Sequence, residues 1–202
     1  LYASHYARVP PLLRRRLIGP ALHLMPEAGW YKSKGHQLRW LHKLSFLEGG
    51  ARYAGSLSYF YFDAARRAEL FSDESHRRIG AFAAEAAIED PFNRAVGEPL
   101  DRMLYADSMV RLPDHPVMIT DRMTMAHGLE ARSPFMDHKL VEFAARLPNR
   151  LKVRGRSLRI VQKTLAARYL PPEILNRPKQ GFSVALPYVL REEYKMLYRR
   201  FL

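Results

Sequence analysis

Two stretches of this 202-residue chain place charged side chains among apolar ones, where they could do chemistry. The first is Asp121 to Leu140, DRMTMAHGLEARSPFMDHKL, in which Asp121, Arg122, Glu130, Arg132 and Asp137 sit between methionines, leucines and Phe135. A guanidinium fork matches a carboxylate or a phosphate, and an unpaired charge is costly to bury. Arg132 is therefore expected to bridge Glu130 or Asp137. Such a bridge is either a structural brace holding two helices at an angle or one wall of a ligand cleft. Asp121 and Arg122 read equally as a helix-surface ion pair or as ligand contacts. The second stretch is Arg177-Pro178-Lys179-Gln180-Gly181-Phe182. Pro178 stiffens the entry, Gly181 permits a sharp turn and Phe182 can anchor it, so the Lys179 ammonium stands on an ordered tip. Taken alone, a lysine in a turn is a solvated group.

The elements that must position these residues read as helices. Val117 to His127 has good helix formers without glycine or proline, and Gly128 is placed for a left-handed cap. Pro134 forbids the connection from continuing as helix. Asp137 is an N-cap signal, and Leu140, Val141, Phe143, Ala144 and Leu147 follow at helical spacing. Upstream, the pattern predicts a helix over 32–48 stopped by Gly49-Gly50, and another capped by Asp63 and running to Phe71. A third, capped by Ser72 or Asp73, runs to about Ile88, and a fourth, opened by Pro91, runs to Val110. Residues 10–25 read as two short solvated turns, because Pro20 disfavours a long helix. The aromatic run Tyr59-Phe60-Tyr61-Phe62 could stack bases but reads better as core. Residues 151–156 form a basic turn before a helix over 157–169, on which Arg159, Lys163 and Arg168 read as solvated, with a phosphate contact as the alternative. No convincing strand, repeat or interdomain linker appears, so residues 1–202 read as one mainly α body.

Residues 121–140 resemble the SMAHSLEVRVPFLDH segment of the asparagine synthetase family, and Leu170 to Phe182 resembles its LPxEILxRPKxGF loop. The likeness is sharp over 112–190 and diffuse over 1–111. It implies the helical C-terminal portion of an α/β adenine nucleotide α-hydrolase-like (ATP pyrophosphatase) synthetase domain, with the parallel sheet and the PP-loop missing. The family's GDGxDExFGGY loop would end just before Tyr2. The family has LPDDLLVKVDR where this chain has Leu112 to Arg122, so Asp114, Asp121 and Arg122 match. Ile119, however, stands at the position of the family's lysine, and His115 and Pro116 also depart.

By that match Lys179 looks like the ammonium that faces departing pyrophosphate when an aspartate carboxylate attacks the α-phosphate of ATP. Asp114, Asp121, Arg122, Glu130, Arg132 and Gly181 are candidates for substrate or pyrophosphate binding. The resemblance also implies Mg²⁺ and ammonia released from glutamine. The partners it implies are the N-terminal glutaminase and PP-loop regions of the same protein, and a homodimer stays open. The chain holds no SGGxDS loop, no Gly-rich phosphate cradle, no metal site and no cysteine, so by itself it is expected neither to adenylate nor to hydrolyse glutamine.

Composition leaves other classes in view. Lys and Arg number 33 against 20 Asp and Glu, a net charge of +13, which suggests a polyanionic partner or acidic parts elsewhere in a longer protein. A basic nucleic-acid-binding module is thus an alternative, though a disfavoured one. Within the superfamily, an amidotransferase for a sugar acid in surface polysaccharide assembly also stays open. So does a β-lactam-forming synthetase, although no pair matching its Tyr–Glu base is visible, and a degenerate scaffold without turnover is the last alternative. No apolar run approaches the roughly 20 residues of a membrane span, no signal peptide is seen, and the absence of cysteine fits the cytoplasm.

Overall fold

Helices that ought to be broken by proline continue through it, and that observation organises the architecture. The computed structural model describes residues 2–25, 33–57, 68–79, 84–155, 157–177 and 200. They fall in two compact units, residues 1–146 and 147–202. The fold is mainly α.

In the first unit, α1 (Tyr2–Tyr6) leads to α2, residues 11–23, where a π-helical turn, Arg14–Ile18, joins α-helical Pro11–Leu13 to Gly19–His23. Two separate turns were expected here. The π turn explains the difference: the Gly19 N–H reaches back to the Arg14 carbonyl, and the widened turn gives room to Pro20, which has no N–H to offer. α3 (Lys34–Leu44) starts where Ser33 Oγ accepts the His36 N–H at 3.1 Å. Gly49-Gly50, read as a stop, instead opens α4 (Gly49–Leu57). A Cβ on Gly50 would lie 2.9 Å from Asn93 Oδ1 and 3.1 Å from the Glu89 carbonyl, so the missing side chain lets α4 approach α6.

α5 (Asp73–Ile79) follows Ser72, whose hydroxyl accepts the Ser75 N–H. α6 (Ala86–Arg94) contains Pro91 rather than beginning with it. α7, residues 99–125, starts at Pro99 and passes through Pro113 and Pro116 by two π-helical stretches, Asp107–Arg111 and Pro113–Val117, before α-helical Met118–Met125. Phe92, Ala54 and Ala106 form one buried cluster between α4, α6 and α7, and Ala3, Leu44, Ser45 and Arg14 form another between α1, α2 and α3. A 3₁₀ turn (Pro134–Met136) and α8 (His138–Arg146) complete the unit.

The second unit has α9 (Asn149–Lys152), strands β1 (Val153–Arg154) and β2 (Ser157–Leu158), α10 (Ile160–Ala166) and α11 (Pro172–Leu175). β1 and β2 pair antiparallel, Val153 opposite Leu158, turning at Gly155. The sequence reading gave no strand and began a helix at Ser157. Two residues per strand with one apolar pair are too short for an alternating pattern to show. The aromatic run at 59–62, the Asp63 cap and the loop around Lys179 and Gly181 lie outside the described residues.

Candidate functional site

The end of α7 and the start of α8 form the charged elbow that the sequence picks out. α7 closes in Schellman geometry. The Leu129 N–H bonds the Thr124 carbonyl at 3.0 Å and the Gly128 N–H bonds the Met125 carbonyl at 3.0 Å. Gly128 takes φ +68°, and the space beside its Cα is open, so backbone conformation alone demands glycine there. After the 3₁₀ turn, Asp137 Oδ1 accepts the Lys139 N–H at 2.9 Å and the Leu140 N–H at 3.2 Å, while its carbonyl accepts the Val141 N–H. Asp137 is thus the N-cap of α8, and that occupation takes it away from Arg132.

Arg132 pairs with Glu130 instead, its Nη2 lying 3.0 Å and 3.1 Å from the two carboxylate oxygens. The expected bridge forms, but in water rather than in a core: the side chains are 82 % and 64 % exposed. Asp114 lies on the second π stretch of α7, and Asp121 and Arg122 on its final α-helical part, all exposed. Among the described residues these three side chains form no ion pair, so a mutual Asp121–Arg122 bridge is absent. Thr124 Oγ1 donates to the Asp121 carbonyl at 3.2 Å. The elbow thus brings Glu130 and Arg132 together, one helix end away from Asp121 and Arg122.

Around them Met123, Met125, Phe135, Met136 and Phe143 face solvent, and nothing from Asp107 to Arg146 is buried. In the second unit, Arg159, Lys163 and Arg168 are exposed, and Arg159 takes a left-handed φ of 58° just before α10. α11 leads into the Lys179 loop, with the Arg177 N–H on the Ile174 carbonyl. Among the described residues no three His, Asp or Glu side chains come close enough to hold a metal ion.

The chain matches the family model described as asparagine synthase over residues 7–202. It belongs to the asparagine synthase family. Among curated relatives, the glutamine-hydrolysing asparagine synthetase 1 of Bacillus subtilis is 31% identical over 94 residues, 46% of this chain and 15% of that protein. A putative glutamine-hydrolysing asparagine synthetase of Mycobacterium tuberculosis is 32% identical over 94 residues, 46% of this chain and 14% of its own length. The glutamine-hydrolysing asparagine synthetase of Mesocricetus auratus is 38% identical over 84 residues, 40% of this chain and 15% of its own length. The matched segment therefore spans about one seventh of these relatives. No solved structure matches the chain.

Two polar clusters in this family member escaped the sequence reading. Tyr53 on α4 lies near Asp107 and Arg111 on α7. Burial first, and then Asp107, raises the Tyr53 phenol far above its ordinary value, so it stays a proton donor. Arg111 pairs with Asp107 at 3.4 Å one helical turn on. That i,i+4 pair was legible, whereas Tyr53 joins it only through packing of α4 on α7. The other cluster centres on Arg14, which an arginine run had marked as solvated. Arg14 is 5 % exposed, with Nε on the Val9 carbonyl at 2.8 Å and Nη1 on Ser45 O and Oγ at 2.7 and 2.6 Å. It lies 4.5 Å over the Phe46 ring. Beside it the Tyr6 hydroxyl and His42 Nδ1 are 2.9 Å apart.

Proposed function

We propose that this chain is the helical part of an ATP-dependent ligase that makes an amide from aspartate. The side-chain carboxylate oxygen of aspartate attacks the α-phosphorus of ATP, and the bond to pyrophosphate breaks. Ammonia from glutamine then attacks the acyl carbon of the aspartyl adenylate, and AMP departs with the carbon–oxygen electron pair. The observation that supports this most is the family match over residues 7–202, which includes both the elbow and the Lys179 loop.

In this reading Lys179 is the catalytic residue, its ammonium facing the charge that gathers on pyrophosphate, with Gly181 shaping the turn. Arg122 offers a second cation to substrate or pyrophosphate, and Asp121 and Asp114 offer carboxylates toward the amine side of the acceptor. Glu130 and Arg132, at the elbow, offer a further pair of charges to substrate or pyrophosphate. Mg²⁺, implied with ATP in this chemistry, would neutralise phosphate charge when bound. Among the described residues no cluster of carboxylates or histidines is placed to hold it. The exposed apolar side chains of the elbow and α8 support a setting in which further protein covers them. We place the reaction in the cytoplasm; no helix among the described residues is long and apolar enough to cross a membrane.

The test is Lys179→Ala in the complete enzyme. Aspartate-dependent pyrophosphate release should fall by ~10²–10³, the usual loss for one preorganised charge contact. Glutamine hydrolysis should persist. Near-normal pyrophosphate release would remove Lys179 from this role. AMP formation with a hexuronic acid but not with aspartate would move the acceptor to a sugar acid.

A further inference from the structure

The two units do not share the net charge of +13 evenly. Residues 1–146 carry 20 Lys and Arg against 17 Asp and Glu, whereas residues 147–202 carry 13 against 3, a net +10. From Leu147 to Pro172 the sequence has seven cations and no acid. Arg150 and Lys152 stand on α9, Arg154 on β1, Arg159 at the start of α10, Lys163 on it and Arg168 just beyond. All of these but the half-buried Lys152 are exposed, and α9 packs on α10. Arg154 lies opposite Ser157 in the hairpin, and Arg159 follows two residues after Ser157. One turn later the Lys163 N–H bonds the Arg159 carbonyl at 2.9 Å. Each of these steps covers about 5–7 Å, so the cations follow one another at short range.

The backbone at Arg159 adds a second observation. With φ 58° and ψ 45° it is left-handed, the one non-glycine residue of positive φ among the described residues. Glycine would serve the turn into α10 without the steric cost of a Cβ. Strain of this kind persists where a side chain has a task, and here the side chain is an exposed guanidinium, a fork that fits phosphate. The geometry points to a single-stranded nucleic acid held by its phosphate backbone along Arg154, Arg159 and Lys163. A phosphodiester chain carries negative charge alone. Acidic protein surfaces intersperse their carboxylates with lysines and arginines, which an acid-free segment repels. A lipid surface suits a long helix with one apolar face, whereas α10 has seven residues. Tyr169, 77 % exposed just past α10, offers a ring on which a base can stack.

The probe is a labelled oligouridine of about 12 nucleotides, within the site sizes of single-strand binders. It is titrated with the 202-residue chain by fluorescence anisotropy across a range of salt. Saturable binding should weaken with salt at a log–log slope of about −0.7 for each phosphate neutralised. Arg154→Gln and Lys163→Gln should each make that slope shallower by about 0.7. Arg77→Gln/Arg94→Gln removes two exposed charges from the first unit and should leave the slope as it is. Arg159→Gly should lose as much slope as Arg154→Gln while keeping or raising the melting temperature, a split that a purely structural arginine does not give. Tyr169→Ala should weaken binding about tenfold at every salt concentration without altering the slope. No saturable binding at low salt, parental slopes in the second-unit variants, or an equal loss in the first-unit control would overturn the proposal. So would displacement of the probe by polyglutamate or by phosphatidylserine vesicles as readily as by unlabelled oligouridine of matched charge.

Discussion

Replacing Arg14 by methionine tests whether the first three helices are held by one buried cation. The side chain ties the chain before α2, through the Val9 carbonyl at 2.8 Å, to the end of α3, through the Ser45 carbonyl and hydroxyl at 2.7 and 2.6 Å. The 3.4 Å approach to the Ala7 carbonyl adds little. Charged hydrogen bonds contribute roughly 1.5–3 kcal/mol each, and a guanidinium over an aromatic ring adds about 1. Against this stands the cost of desolvating a cation that is 5 % exposed, several kcal/mol, which methionine does not incur. What decides the sign is the carbonyls left behind: unsatisfied buried acceptors cost about 1–3 kcal/mol each. The expected net loss is about 3 kcal/mol, a large share of the 5–15 typical of a domain. Arg14→Lys should lose nearly as much, since one ammonium cannot span both anchors. Urea denaturation of the 202-residue chain followed by circular dichroism reads the change, and amide exchange at Val9 and Phe46 localises it. A methionine variant as stable as the parent would refute the reasoning, because packing alone would then hold α1, α2 and α3 together.

Three smaller perturbations probe neighbouring claims. Burial lowers the His42 pKa from its ordinary 6.5, and Arg14 and His23 lower it further, so the folded chain binds fewer protons there than the unfolded one. The associated stability is full above pH 6.5 and lost as the pH falls through the lowered value. His42→Gln should flatten melting temperature between about pH 7 and 5, and an unchanged slope would exclude His42 as its source. Gly128→Ala should cost about 1 kcal/mol from the left-handed backbone alone, with Gly128→Asn recovering part of it in thermal melts. Asp137→Ala should cost about 1 kcal/mol by removing the cap of α8, whereas Asp137→Ser should be nearly silent in the same assay.

What could be read in the sequence depended on how far each signal reaches along the chain. The Gly128 cap, the Asp137 cap and the Glu130–Arg132 pair each act within a few residues, and all three stand where the pattern puts them. Proline was misread for the same local reason. A single turn of sequence does not reveal whether the helix will widen to take the ring, as at Pro20, Pro113 and Pro116. Arg14 was invisible because its partners lie up to 31 residues away, and nothing in RRR says which arginine turns inward. Gly49-Gly50 was ambiguous, since glycine both ends helices and lets them approach; Asn93 and Glu89 on α6 decide for approach.

The charged elbow shows why motif and environment must be weighed together. Where it now lies, with both side chains mostly in water, the Glu130–Arg132 pair contributes at most about 1 kcal/mol and does not fix an angle between helices. Cover the same pair with apolar surface, and removing one partner costs about 3–5 kcal/mol, because a buried charge is left alone. In the function proposed above, the elbow therefore gains its rigidity from whatever protein lies over Met123, Phe135 and Phe143 rather than from its own salt bridge. Arg132→Ala would then be nearly neutral for the stability of this chain, yet strongly damaging to pyrophosphate release in the complete enzyme. Equal, small effects in both settings would mean that the elbow is never covered, and that the pair is only a surface contact.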